Sequence, residues 1–278
     1  MKTKTIFFPT LLITIFLAGA VASAKGSFKK VFVIVLENTN YSQAIQQPFL
    51  AEFAKQGALL TNLTASTHPS EGNYISMIAG DTFGINKDIK IDLPDANLAD
   101  LIEAKGLTWK VYAENYPGNC FLGDSGDYAR KHNPFISFTS ISTNPKRCSN
   151  IVNSDQLDSD LKSGSLPNYS MYVPNLKNDG HNTGVAYADQ WLSQKIAPLM
   201  KDPNFMDQML LIITFDESGS KSSNQIYTAV FGDSVISGTS SNQPYTHYSI
   251  LKTIESAWSL GTLNKNDVTA SEINDVLK

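Results

Sequence analysis

The sequence predicts a layered α/β fold around a mostly parallel sheet. Two buried strands, and the alternation of strands with helices between them, carry that prediction. Val31-Phe32-Val33-Ile34-Val35-Leu36 and Met209 to Phe215 are apolar runs without polar alternation. Such a run suits a strand covered on both faces, as in a parallel sheet between helices. Strand-like and helix-like segments alternate through the rest, the pattern of a layered α/β domain. The 278 residues are enough for one domain with a sizeable core.

The first 24 residues read as a secretory signal. Lys2 and Lys4 give a positive start, Ile6 to Gly19 is mostly apolar, and Ala22-Ser23-Ala24 is a small-residue cleavage site. A membrane anchor is the alternative, but the run is short and ends in a cleavage pattern. Cleavage leaves residues 25–278 as a single domain, secreted or periplasmic. It also removes two lysines from a chain whose formal charge is already −4. A mildly acidic protein has no bulk attraction for nucleic acid or anionic lipid, so neither is an expected partner on that ground. No later run is long enough to span a bilayer.

The first strand ends in Glu37-Asn38-Thr39-Asn40. Carboxyl ends of strands are where α/β sheets place ligands, so Glu37 and Asn38 are candidate site residues. A solvated Asn turn is the alternative. Pro48 to Gln56 reads as a helix stopped by Gly57, and Ala58 to Thr61 as a strand. His68 to Gly80 then starts with turn residues and passes into an apolar pattern at Tyr74, Met77 and Ile78, which is helical spacing. Ser70 falls where that helix begins. A hydroxyl there is either an N-cap or a nucleophile facing an anion held by the helix end.

Asn97 to Lys105 reads as a helix ending at Gly106, and Thr108 to Tyr112 as a strand. Residues 113–166 are rich in Gly, Pro, Asn and Ser, and read as an insertion over the catalytic face. Cys120 and Cys148, the only cysteines, lie within it. In an exported protein a disulfide is the default, with two free thiols as the alternative. His132, beside Arg130 and Lys131, reads as a surface residue. Tyr169 to Val173 is a strand leading to Asp179-Gly180-His181, either a hydrophilic turn or two side chains aimed at one ion or phosphate. Val185 to Met200 reads as an amphipathic helix with Trp191 and Leu192 inward. The second apolar strand ends in Asp216-Glu217. Adjacent acids there are costly without a positive partner. Ile226 to Phe231 is a further strand, Tyr245 to Ser249 opens a helix, and the tail from Ser271 reads as a short terminal helix.

Six segments in order resemble one family. They are Val35-Leu36-Glu37-Asn38 with Tyr41; His68-Pro69-Ser70 with Asn73-Tyr74 and Gly80; Ala113-Glu114-Asn115 with Tyr128 to Phe135; Pro174-Asn175 through Asp179-Gly180-His181; Thr214-Phe215-Asp216-Glu217; and His247 to Leu251 with Thr253-Ile254-Glu255. The chain resembles the bacterial and fungal acid phosphatases and phospholipases C, a branch of the alkaline phosphatase superfamily. The resemblance implies an alkaline-phosphatase-like three-layer sandwich. It implies that Glu37, Asn38, Asp216 and Glu217 hold a divalent metal reached by Ser70, and that Ser70 is a nucleophile forming a phosphoserine. Asn73 would donate to a phosphate oxygen. Asp179, His181 and His247 would surround the phosphate, with His181 protonating the leaving group and His247 helping. The chain departs from many relatives at Thr39-Asn40-Tyr41, which points to the smaller phosphatase-like subgroup, and at Gly72, which suggests a looser helix start that leaves Ser70 and Asn73 in register.

The reaction expected is hydrolysis of phosphomonoesters by a secreted acid phosphatase. A phosphodiesterase of phospholipase C type, acting on a phospholipid head group, is the alternative. A secreted binding protein without activity is a third. Oxygen ligands suit Mg²⁺, Mn²⁺ or Ca²⁺, and nearby histidines would admit Zn²⁺ or Fe.

Overall fold

The computed structural model describes residues 27–220 and 223–278, together with Met1. The signal sequence and its cleavage site lie outside the described residues.

The apolar run at the start of the described chain forms the central strand β1 (Lys30–Leu36). After a single turn, α1 (Tyr41–Ala44), comes α2 (Pro48–Gln56), with proline at its first position and Gly57 at its end. Proline is favoured there because its missing N–H has no helical partner anyway. β2 (Ala58–Leu60), β3 (Leu63–Thr64) and α3 (Ser70–Ala79) follow. α4 (Leu98–Ala104) is capped by Asn97, whose side chain accepts from Ala99 N. It leads into β4 (Trp109–Ala113).

Residues 113–166 hold more regular structure than their composition suggests. They contain α5 (Thr139–Ser142), α6 (Pro145–Cys148), β5 (Ile151–Asn153) and α7 (Gln156–Ser163), and β5 is part of the main sheet. Tyr128, Phe135, Phe138 and Ile141 are buried in the core. Cys120 and Cys148 are joined as a disulfide. The chain then continues through β6 (Tyr169–Val173), α8 (Val185–Leu199), α9 (Pro203–Met206) and β7 (Met209–Phe215). It ends with β8 (Thr228–Phe231), β9 (Thr239–Ser241), β10 (Tyr245–Thr246) and α10 (His247–Trp258). Leu192 of α8 is buried as expected.

The main sheet has eight strands in the order β5-β4-β6-β1-β7-β8-β2-β9. All neighbours run parallel except β8, which is antiparallel to both β7 and β2. β3 and β10 form a separate parallel pair. Register positions the site. β1 and β7 pair from Lys30↔Met209 to Leu36↔Phe215, so Glu37 and Asp216 leave the sheet side by side. Asp216 N donates to Leu36 O at 3.0 Å, one step beyond the strands. On the other flank of β1, the loop after β6 returns Asp179, whose carbonyl accepts from Glu37 N at 2.9 Å.

The tail corrects one expectation. Residues 271–278 form no helix, although Ile273, Val276 and Leu277 are buried at helix-like spacing. Leu277 instead bridges to Val235, and the Asp275 carboxylate accepts from the Ser241 and Tyr245 hydroxyls. These partners favour an extended chain over a helical turn. Among the described residues no helix is long and apolar enough to cross a membrane.

Candidate active site

Ser70 is the first residue of α3, and the N-cap is Pro69, which has no side-chain acceptor to offer. The Ser70 hydroxyl does not cap the helix. It donates to Glu37 Oε2 at 3.2 Å. Tyr74, four residues on and therefore on the same helix face, donates to Glu37 Oε1 at 2.6 Å. α3 thus grips both oxygens of the acid that ends β1. Ser70, Tyr74 and Glu37 are all buried. One first-turn amide, Glu71 N, is taken by Asp88 Oδ1 at 3.1 Å.

The four residues expected to hold a metal converge. One terminal atom of the Asn38 amide lies 3.2–3.3 Å from Asp216 Oδ1 and Oδ2, Glu217 Oε1 and Glu37 Oε2. Either the amide donates its NH₂ to these oxygens, or its carbonyl oxygen joins them around a shared cation. Asn38 takes a φ of 37°, an unusual backbone that asparagine tolerates. Its N–H donates to Asp216 Oδ1 at 3.1 Å. Among the described residues no three His, Cys, Asp or Glu side chains form a metal-holding group by themselves. The cluster is complete only with the Asn38 amide and the Ser70 hydroxyl counted as donors. Its all-oxygen character fits a hard divalent cation.

Electrostatics agree with that fit. Burial pushes the Asp216 carboxyl well above the usual range, and the neighbouring Glu37 and Glu217 push it further. Burial also raises Glu37, with His132 partly offsetting. Glu217 is raised by burial and partly offset by His68. Three acids packed this closely repel one another, and a positive charge among them relieves the repulsion.

All four histidines lie at or near this cluster, in different roles. His68 Nδ1 is 2.5 Å from Glu217 Oε2. His132 is buried, against the surface position expected from its charged neighbours. Its Nε2 lies 3.1 Å from Glu37 Oε1, its Nδ1 lies 3.2 Å from Asp179 Oδ2, and its ring stacks on Tyr74. Burial lowers His132 to about 4 and raises Asp179 to about 7. A neutral imidazole has only one N–H, so it can donate to only one of the two carboxyls. His181 is exposed at the mouth, its ring 6.3 Å from His132, and its backbone N–H donates to Asp179 Oδ1 at 2.7 Å. His247 is buried at the start of α10. Its Nε2 lies 3.1 Å from the Phe215 carbonyl, which anchors the end of β7 next to Asp216. Asn73 is fully buried and engaged on the loop before α3. Its Oδ1 accepts from Thr67 N at 2.9 Å and its Nδ2 donates to Thr67 O at 2.9 Å.

Sequence reasoning therefore missed His68, His132 and Tyr74 as parts of the site. Tyr74 had a signal, the four-residue spacing from Ser70. His132 had none, because only the path of the chain between α4 and α5 brings it to Glu37.

Comparison with known proteins places these features in context. A model of the Phosphoesterase family matches residues 23–261. The "Probable acid phosphatase" of Kluyveromyces lactis is 36% identical over 274 residues, covering 93% of this chain and 65% of that protein. The chain therefore spans somewhat less than two thirds of that relative's length. The phosphatidylinositol-3-phosphatase of Mycobacterium tuberculosis is 32% identical, covering 87% of this chain and 81% of that one. Among solved structures, a protein in the alkaline phosphatase superfamily from Vibrio parahaemolyticus superposes with a TM-score of 0.60 at 13% identity, covering 88% of this chain and 71% of that one. That likeness supports the three-layer fold expected from the sequence.

Proposed function

Because this chain belongs to the Phosphoesterase family, we propose that it is an exported, metal-dependent phosphoric ester hydrolase that cleaves phosphomonoesters through Ser70. The observation that carries the reading is the Ser70 hydroxyl, which starts a helix and points at Glu37 Oε2 beside the Asn38, Asp216 and Glu217 oxygens. Glu37, Asn38, Asp216 and Glu217 would hold the cation, with Ser70 adjoining it. Bound there, a divalent cation neutralises phosphate charge and favours the ionised form of the serine hydroxyl. His68 and His132 face carboxylates and not the centre of the oxygen cluster, which weighs towards Mg²⁺, Mn²⁺ or Ca²⁺ over Zn²⁺ or Fe.

Ser70 Oγ attacks phosphorus as its proton passes to Glu37 Oε2, and the bond to the leaving oxygen breaks. His181, exposed at the mouth, protonates that oxygen. Water then attacks the phosphoserine phosphorus as its proton passes to His181, the bond from phosphorus to Ser70 Oγ breaks, and Oγ takes back its proton from Glu37 as phosphate leaves. His247 acts through β7, by holding the Phe215 carbonyl, and Asn73 holds the Thr67 loop that delivers Ser70. Residues 1–24 would direct export and be removed.

The test is hydrolysis of nitrophenyl phosphate and nitrophenyl phosphorylcholine, each with and without chelator, by the native protein and by Ser70→Ala. Monoester turnover lost with chelator and in the variant is the expected result. Preference for the diester would move the protein to the phospholipase C side. No turnover of either with any divalent ion would refute hydrolysis of such esters.

A further inference from the structure

A cleft of about 440 Å³ is lined by Glu71, the residue after Ser70 in α3, and by His181. We infer that it receives the organic group of the phosphoester and selects an apolar one, a deepening that rests on the phosphomonoesterase reading of the site. Its volume lies within the range of small-molecule pockets, about 300–1,000 Å³.

Two residues join the cleft to the chemistry. Lys131 and His181 line it. Burial alone would lower the Lys131 ammonium, but Asp88, Glu37 and Asp216 more than offset this and keep it charged. Its Nζ pairs with Asp88 Oδ2 at 2.8 Å, and both residues line the cleft. Asp88, Lys90, Asp124 and Arg130 bring charges of both signs to the lining, and apolar side chains fill the wall between them. Ile89, Leu122 and Leu176 come from three separate loops and line the same space. Ile89 is 57% exposed, unusual for a large aliphatic residue among the described residues. One exposed isoleucine means little, but one grouped with two leucines beside a site marks a binding surface.

The walls are fixed by buried polar contacts. Glu71, next to Ser70, accepts from Ile89 N at 3.0 Å and pairs with Arg130 Nη1 at 3.1 Å. Arg130 Nη2 donates to Ile91 O at 2.6 Å, and Arg130 N donates to Asp124 Oδ1 at 2.8 Å. Leu176 N donates to Asp127 O at 2.9 Å. The loops bearing Ile89, Leu122 and Leu176 are thus held to the helix that carries the nucleophile. A preorganised apolar wall favours an apolar group because little ordering remains to be done on binding.

The experiment is phosphate release from straight-chain alkyl phosphates, ethyl through octyl, kept below their micelle concentrations. The leaving alcohols differ little in acidity, so chain length changes contact more than chemistry. The expected result is that kcat/KM rises by up to about fourfold per methylene buried, and levels off once the cleft is full. The octyl-to-ethyl ratio within each protein cancels any general loss of activity. Leu122→Asp should lower that ratio at least about tenfold, as several methylenes lose their apolar wall. Ile89→Ser, at an exposed position that tolerates change, should lower it too. Val268→Asp, at an exposed apolar residue that does not line the cleft, should keep the native ratio. A flat or falling series with measurable ethyl phosphate turnover would overturn the inference and leave the phosphatase reading standing. No turnover of any member would overturn that reading, and this inference with it.

Discussion

Tyr74 donates a 2.6 Å hydrogen bond to Glu37 Oε1 and stacks its ring on His132, 5.0 Å between centroids. One side chain therefore orients both the acid that ends β1 and the imidazole behind it. Tyr74→Phe keeps the stacking and removes only the donor. On the proposal that Glu37 holds the cation, losing the bond that orients its carboxylate weakens metal affinity about 10–100-fold. The divalent-ion concentration for half-maximal thermal stabilisation should rise by that factor, with most activity recovered at saturation. An unchanged midpoint would show that Tyr74 does not orient Glu37 for the cation.

Asp216 meets Glu37 and Glu217 with its carboxyl pushed well above the usual range, chiefly by burial. Asp216→Asn removes one of three crowded acids, whose ionised form burial and its neighbours disfavour, at almost no change in shape. In the presence of chelator the variant should melt at a higher temperature than the native chain. Adding Mg²⁺, Mn²⁺ or Ca²⁺ should raise the native melting temperature by mass action and leave the variant nearly unmoved. Calorimetry with and without ion measures both effects. A variant that melts lower in chelator would mean that repulsion at this cluster is not what limits the metal-free protein.

Glu37 and Asp216 were legible as acids at strand ends, and the resemblance implied that they share one site, but only the register of β1 against β7 sets them side by side. Both acids end long apolar runs, and two such runs become neighbours in a parallel sheet. Ser70 was legible because helix starts carry local signals. His132 was not, since its burial depends on how residues 113–166 fold back towards the sheet, and the flanking Arg130 and Lys131 look like surface charges. Arg130 is itself buried against Glu71, and Lys131 is paired with Asp88. The tail misled for a different reason. Spacing of Ile273, Val276 and Leu277 fits a helix, but long-range partners on Val235, Ser241 and Tyr245 decide its shape.

The Glu71–Arg130 pair is buried on both sides, with side chains 1% and 5% exposed. Breaking such a pair leaves one uncompensated charge in the interior, at a cost of about 3–5 kcal/mol. Arg130→Met alone should therefore be strongly destabilised in urea. Burial already lifts Glu71 to about 7 in the presence of Arg130, so Glu71→Gln should cost less. The double variant Glu71→Leu/Arg130→Met should recover much of the loss, because two apolar chains replace two desolvated charges. Additive losses in the double variant would show that the two residues do not act as a pair. The double variant should still lose rate on long-chain substrates, since Ile89 N and Ile91 O lose their anchors.

Glu255 of α10 is buried, and neither carboxyl oxygen has a hydrogen-bond donor facing it. Its neighbour Asp267 already accepts from Leu263 N at 2.6 Å and Lys265 N at 2.7 Å. Burial first, and Asp267 second, raise Glu255 from 4.5 to about 8. Below pH 4.5 the folded and unfolded chains both hold that proton, and this group gives no pH dependence. Between 4.5 and 8 only the folded chain holds it, so stability falls as pH rises. Above 8 the loss is complete. The slope from one such group is at most about 1.4 kcal/mol per pH unit. The region matters to the site, because Asn266 N donates to Gly80 O at 2.9 Å, closing the far end of α3. Thermal melts from pH 5 to pH 9 should show a falling melting temperature. Glu255→Gln keeps a neutral donor beside Asp267 and should flatten that fall, leaving the variant more stable than the native chain at pH 8.5. Parallel curves for the two proteins would show that Glu255 stays ionised in the fold and that the acid preference of its stability comes from other groups.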